Sequence, residues 1–144
     1  MSKLFMASDH AGYELKLFLK DFLANKGFII EDLGTNSPDS CDYADFAHPL
    51  AINVENNTDC FGITICGSGN GICMTANKHQ GIRSALCWNA EIARLARAHN
   101  NANVLSIPAR FVSKDEAIQI LEAFLSTEFD GGRHQRRIEK IPVA

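Results

Sequence analysis

The chain has 144 residues, enough for one domain with a buried core, and its 46% hydrophobic and 22% charged residues are the balance of an ordinary globular protein. A net charge of −3 with no long basic face argues against nucleic acid as the main partner. The apolar run Leu4 to Ala7, closed by Ser8 and Asp9, is too short for a signal peptide or a membrane span.

From the amino end, Lys3–Ser8 reads as a first strand, and Leu15, Phe18, Leu19, Phe22 and Leu23 form one helical stripe that Gly27 ends. A second strand is predicted over Gly27–Leu33. Ala47, Leu50, Ala51 and Val54 make the next stripe, in a helix that Pro49 should delay or bend. Cys60–Cys66 is the third strand, Ile72 to Lys78 a short helix, and Ile82–Cys87 the fourth strand. Ile92, Leu95, Ala96 and His99 mark another helix, and Asn103–Ile107 the fifth strand. Ser113-Lys114-Asp115-Glu116 is a capping box opening a last long helix, with Ala117, Ile120, Leu121, Phe124 and Leu125 on its buried side. Beyond Gly131-Gly132 comes a basic tail, Arg133-His134-Gln135-Arg136-Arg137, opposite in sign to the chain as a whole.

This alternation implies an α/β fold, a parallel sheet with helices on both faces, and no second domain. Ligands of such folds sit outside the carboxyl ends of the strands. That directs attention to Asp9-His10, Gly34 to Tyr43, Cys66 to Gly71, Trp88-Asn89 and Pro108 to Arg110.

The run Cys66-Gly67-Ser68-Gly69-Asn70-Gly71 is the chemical centre of the sequence. Alternating glycines after a strand let backbone N–H groups turn in around a small anion, and a helix start adds partial positive charge. A dinucleotide fingerprint fails because Ile72 takes the place of its third glycine, and a P-loop fails for want of Gly-Lys-Ser/Thr. A Cys-x5-Arg phosphatase loop fails at Ile72 as well. What remains is an anion hole for something smaller than a nucleotide diphosphate, against the bland alternative of a tight turn. A thiol at its mouth, Cys66, is expected to ionise more easily than a free cysteine. The other cysteines (Cys41, Cys60, Cys73 and Cys87) read as packing, and an odd count without a Cys-x-x-Cys pair suits a reducing cytoplasm. The five histidines show no metal-ligand spacing with one another or with cysteine, so no metal site is expected.

His99 either joins the core of its helix or, at the helix end where the dipole favours imidazolium, serves as an acid. Asp9 can cap a helix, but His10 beside it has no packing reason to be there. Arg133 and Arg137 stand one helical turn apart and can face one anion, with Arg110 joining them, since guanidinium forks suit phosphate; the bland alternative is a solvated basic face.

These residues together resemble the type B ribose-5-phosphate isomerases and the related sugar-phosphate isomerases of galactose and allose metabolism. The resemblance runs over essentially the whole chain. It is carried by Ser8-Asp9-His10-Ala11-Gly12, Asp42-Tyr43, Cys66 to Ile72, Ala76-Asn77-Lys78, Gly81-Ile82-Arg83, Ala98-His99-Asn100, Asn103-Val104-Leu105 and Gly131-Gly132-Arg133-His134. It implies a three-layer α/β/α sandwich on a five-stranded parallel sheet. It also implies a homodimer in which the tail from about residue 130 of one subunit completes the other's site, with assembly into tetramers left open.

The implied reaction interconverts ribose 5-phosphate and ribulose 5-phosphate without metal or organic cofactor. Cys66 is then similar to the base that moves the proton between C1 and C2, and His99 to the acid that opens the furanose ring. Gly67, Ser68, Gly69, Asn70 and Gly71 match the loop that holds the enediolate, with the Ser68 hydroxyl assisting. Asp9, His10, Tyr43 and Asn100 match residues lining the sugar, and Arg110, Arg133 and Arg137, with His134 nearby, a phosphate clamp. One branch of the family carries glutamate directly after the last glycine and lacks the cysteine. Ile72 and Cys66 point to the thiol branch. Isomerases of allose 6-phosphate or galactose 6-phosphate are the nearest alternative, and a non-catalytic sugar-phosphate sensor the more distant one.

Overall fold

The chain's most continuously apolar strands take the middle of the sheet. In the computed structural model, which describes residues 3–143, β1 (Lys3–Ser8), β3 (Phe61–Cys66) and β5 (Val104–Pro108) are almost wholly buried. The edges fall to β2 (Ile29–Asp32), which alternates exposed and half-buried residues, and to the three-residue β4 (Ser84–Leu86). The order is β2-β1-β3-β5-β4, with every neighbouring pair parallel.

Strand side chains alternate between two cores, as the pleat requires. Leu4, Met6, Ile63, Ile65, Leu105 and Ile107 pack against α1 (Tyr13–Asn25), α4 (Ala90–Asn100) and α5 (Lys114–Ser126). Phe5, Ala7 and Val104 pack against α2 (Ala44–Asn56) and α3 (Asn70–Ala76) on the other face. The result is the three-layer α/β/α sandwich, with α6 (Arg133–Ile138) appended to the end of α4. The capping box forms in full: Glu116 N–H donates to Ser113 Oγ at 3.1 Å, and Ser113 N–H to Glu116 Oε1 at 2.8 Å.

Three sequence expectations need correction. The Pro49 helix does not start late; it begins at Ala44 and carries the proline inside it. The short helix after the glycine loop starts at Asn70, not Ile72, because Gly69 itself makes the turn. The stripe of α4 is also rotated. Ala93, Ala96, Arg97 and Ala98 are buried, and Leu95 and His99 lie half-exposed on the neighbouring face.

β2 lies on one side of β1 and β3 on the other, so the winding reverses between β1 and β3. A crevice opens at the carboxyl ends of strands at such a switch point. Helix α4 runs against the strands: Ala90 follows β4 at the carboxyl edge, and Asn100 ends near the amino edge, shortly before β5 begins.

Candidate active site

Cys66, the last residue of β3, is only 4% exposed and packs with Ala47 and Ile72. The N–H groups of Gly69, Gly71 and Ile72 turn back on its thiol. Gly69 makes that return possible. Its φ of +77° is one that side chains rarely adopt, and a Cβ there would run into Leu86. At Gly71 a Cβ would run into the Tyr43 ring, so glycine is what lets that ring lie against the loop. Ser68 is exposed, and its Oγ accepts from Asn70 N–H at 3.2 Å, shaping the turn.

Two neighbouring segments complete this edge. After β1, Asp9 is 6% exposed and its Oδ1 accepts from Ala11 and Gly12 N–H at 3.0 and 3.1 Å. His10 has a packing role after all: its Nδ1 accepts from the Cys41 N–H at 3.2 Å and ties down the loop after β2. After β5, Ala109 N–H donates to the Cys66 carbonyl at 2.9 Å and Arg110 N–H to that of Gly67 at 3.0 Å. The Arg110 guanidinium thereby lies over Gly67. An open cavity of about 630 Å³ flanks the loop, with Ser68, Asn70, Trp88 and Phe111 in its lining. Trp88 and Phe111 are 53% and 74% exposed, large apolar surface beside a polar site.

The expected easy ionisation of Cys66 is overturned in the lone chain. Burial pushes the thiol above its ordinary value, and the Asp9 carboxylate pushes the same way. The Ile72, Gly69 and Gly71 N–H groups offset only part of this. The loop stabilises negative charge, as its glycines indicated, but a dry strand end beside an acid outweighs it.

The remaining predicted residues assemble elsewhere. His99 stacks on His134 with ring centroids 4.4 Å apart and planes 13° off parallel. Burial beneath that stack, then the charges of His99, Arg133 and Arg137, hold the His134 ring below the ordinary imidazole range, against the opposite pull of Asp130. Asn100, Arg133 and Arg137 are exposed, and among the described residues neither arginine pairs with a carboxylate. This second group sits at the far end of α4, whose 11 residues span about 16 Å.

Sequence reasoning missed the buried cations that hold both groups in place. Lys16, wholly buried, donates to Asp32 Oδ1 and the Thr35 carbonyl, each at 2.6 Å, and so anchors the start of the loop that carries Tyr43. For Asp32, burial works against ionisation, but hydrogen bonds from Lys16 and the Gly34 N–H outweigh it and hold the carboxyl below its ordinary value. Arg97 donates to Asn101 Oδ1 and the Ala102 carbonyl at 2.9 and 2.7 Å under the end of α4, and Arg83 to the carbonyls of Asn100 and Asn101. A lone Lys or Arg in an amphipathic helix gives no signal that it will turn inward; only the partner carbonyls, distant in sequence, reveal it.

Residues 4–141 match the profile of the Ribose/Galactose Isomerase family. Ribose-5-phosphate isomerase B of Escherichia coli is 39% identical over 141 residues, covering 98% of this chain and 95% of that protein. A ribose 5-phosphate isomerase of Thermotoga maritima superposes with a TM-score of 0.96 at 49% identity, covering 98% of this chain and 97% of the other. Ribose-5-phosphate isomerase B of Mycoplasma genitalium, solved with bound ribulose-5-phosphate, gives a TM-score of 0.94 at 49% identity, with 96% and 93% covered. With its glycine loop at the switch point of a 2-1-3-5-4 sheet and a profile match from end to end, the chain belongs to the ribose/galactose isomerase family.

Proposed function

We propose that this protein is a ribose-5-phosphate isomerase of the type B class, moving a proton between C1 and C2 to interconvert ribose 5-phosphate and ribulose 5-phosphate. The observation that carries the reading is the glycine loop that Gly69, at φ +77°, turns beside the buried Cys66, with the Gly69, Gly71 and Ile72 N–H groups favouring negative charge there. Such donors, fixed before substrate arrives, favour an enediolate oxygen as they favour a thiolate. Cys66 is the base in this reading. The Gly67–Gly71 backbone and Ser68 hold the developing oxyanion, and Asp9, His10 and Tyr43 line the sugar from the same edge.

The acid and most of the phosphate clamp come from a second copy. His99 and Cys66 lie at opposite edges of one sheet, whereas an acid must come within about 3 Å of the oxygen it serves. A homodimer supplies the partner's His99, Asn100, His134, Arg133 and Arg137 to the crevice holding Cys66 and Arg110, and covers exposed Trp88 and Phe111. The phosphate handle then positions a short carbon chain whose reacting end lies away from it. The reaction belongs to pentose phosphate metabolism. The reducing cytoplasm keeps the thiol available, and none of the steps requires a cofactor.

A coupled assay for ribulose 5-phosphate, run with chelator and no added metal, tests the reading. Turnover of ribose 5-phosphate well above that of allose 6-phosphate and galactose 6-phosphate is expected. Preference for a six-carbon phosphate assigns the protein to the other branch of its family, and binding without turnover makes it a sensor.

A further inference from the structure

The segment that brings the arginines back to α4 also builds a ligand set that linear spacing conceals. Asp130 N–H donates to the Ala98 carbonyl at 2.9 Å, in the last turn of α4. Gly131 and Gly132 then take positive φ, at 70° and 61°, and reverse the chain so that His134 stacks on His99. His99, Asp130 and His134 thereby each offer one ligand atom, all within 4.8 Å of one another.

We propose that these three side chains form an inhibitory site for a borderline transition-metal ion of the zinc class. Two imidazole nitrogens and a carboxylate, with a fourth position left open, are a known zinc donor set. Ligand bonds of about 2.0–2.2 Å place tetrahedral donors roughly 3.4 Å apart, so the donor atoms must close by up to about 1.4 Å and the two rings must turn out of their near-parallel stack to aim both nitrogens at one ion. Asp130 is exposed and both rings are half-exposed, which leaves them room to turn. His99 lies in the last turn of α4, where the helix dipole favours a cation, although Arg83 and Arg97 already bond carbonyls there. Arg133 and Arg137 in the same tail oppose one, so a hard ion such as Mg²⁺ or Ca²⁺, held by charge and oxygen, is disfavoured. An ion bound through imidazole is selected instead.

Inhibition, unlike binding, rests on the function proposed above. A His99 nitrogen bound to metal has no proton to give the ring oxygen, and His134 is withdrawn from the phosphate clamp. Other zinc donors exist in the chain. Cys66 offers a thiol, and His48 Nδ1 lies 2.7 Å from His79 Nε2, whose other nitrogen faces Glu55 at 3.4 Å. The test therefore turns on Asp130, which has no part in the proposed chemistry.

Zinc binding is measured by competition with a fluorescent chelator on the intact protein and on the Asp130→Asn and His134→Asn variants. One zinc per chain is expected, with each substitution weakening it by about tenfold or more. In the isomerase assay, the zinc concentration for half-inhibition should rise by the same factor in Asp130→Asn, with zinc-free turnover unchanged and chelator restoring the wild type. Absence of zinc binding, or an Asp130→Asn protein that binds and is inhibited like wild type, overturns the site. Zinc that binds through Asp130 but leaves turnover intact overturns the inhibition. A chain without isomerase activity defeats the functional reading alone, and the chelator competition still decides the site.

Discussion

Cys66 and His99 stand at opposite edges of the same parallel sheet, one closing β3 at the carboxyl end and the other near the finish of α4 at the amino end. The 11 residues of α4 hold the two edges about 16 Å apart. Each edge carries half of an isomerase. The carboxyl edge has a buried thiol and an exposed apolar rim, and the amino edge has two histidines and two arginines that pair with no carboxylate among the described residues.

The thiol should behave as burial dictates. Iodoacetamide labelling of Cys66 in the substrate-free protein, followed by mass spectrometry of its peptide, is expected to rise with pH through a midpoint that burial and Asp9 push up and the partner's cations pull down. Asp9→Asn removes a neighbouring negative charge and should move that midpoint down, speeding labelling at any pH below it. Cys87, wholly buried and pushed up to about 12, serves as the unlabelled internal control. Rapid labelling of Cys66 at neutral pH would show that the loop N–H groups and the partner's cations together outweigh burial.

His99→Asn should slow turnover of the cyclic sugar far more than that of an open-chain substrate, because only the ring form needs a proton at its ring oxygen. Equal losses on both substrates would leave His99 a structural role, through its stack with His134.

Removing the buried cation should unsettle the loop that carries Tyr43. Lys16→Met strands Asp32, although Lys20 at 3.3 Å and the Gly34 N–H at 2.9 Å remain, so the loss should lie near the low end for a broken buried pair, about 3 kcal/mol at neutral pH. The sign with pH follows from Asp32, whose carboxyl is held below its ordinary 3.8 in the fold. Its contribution is fully present above that value and is lost as pH falls through the lower, folded one. Denaturant titrations of the two proteins should therefore converge below pH 3.8. A gap that stays constant there would mean that Lys16 acts by packing alone.

The strands, the capping box and the glycine loop were legible because each is a local pattern. Alternation of apolar runs set β1, β3 and β5, and Ser113 with Glu116 announced α5 before any contact was known. The register and order of strands were not legible, since β5 pairs with β3 across 37 residues of intervening chain and nothing local in Val104–Pro108 names that partner. Site residues divided along the same line. The loop around Cys66 is written in consecutive letters, but the direction of the thiol's ionisation depends on burial and on Asp9, which arrives from β1. His99 stayed open between core and acid because a helical stripe read at 3.6 residues per turn has a direction only once neighbouring helices are placed. Here the stripe's centre falls on Ala93, Ala96 and Arg97, and His99 is turned out toward the tail.

The separation of the two half-sites makes a sharper prediction than either alone. Arg137→Ala should mainly raise the substrate concentration required, since one charge-assisted phosphate contact of roughly 1.5–3 kcal/mol corresponds to about 10- to 150-fold. Cys66→Ala should abolish turnover with binding changed by less than about tenfold. The two variants, each assayed at a substrate concentration where it is inactive, are then unfolded and refolded together. If the tail of one copy serves the crevice of the other, a hybrid dimer carries both defects in one site and none in its second. Random pairing makes half of the dimers hybrids, so activity should return to about one quarter of wild type. Exchange of subunits is verified independently by mass-tagging one variant. Proven exchange without recovered activity would require each chain to bring its own Arg137 to its own Cys66, which the 11-residue span of α4 between the two edges opposes.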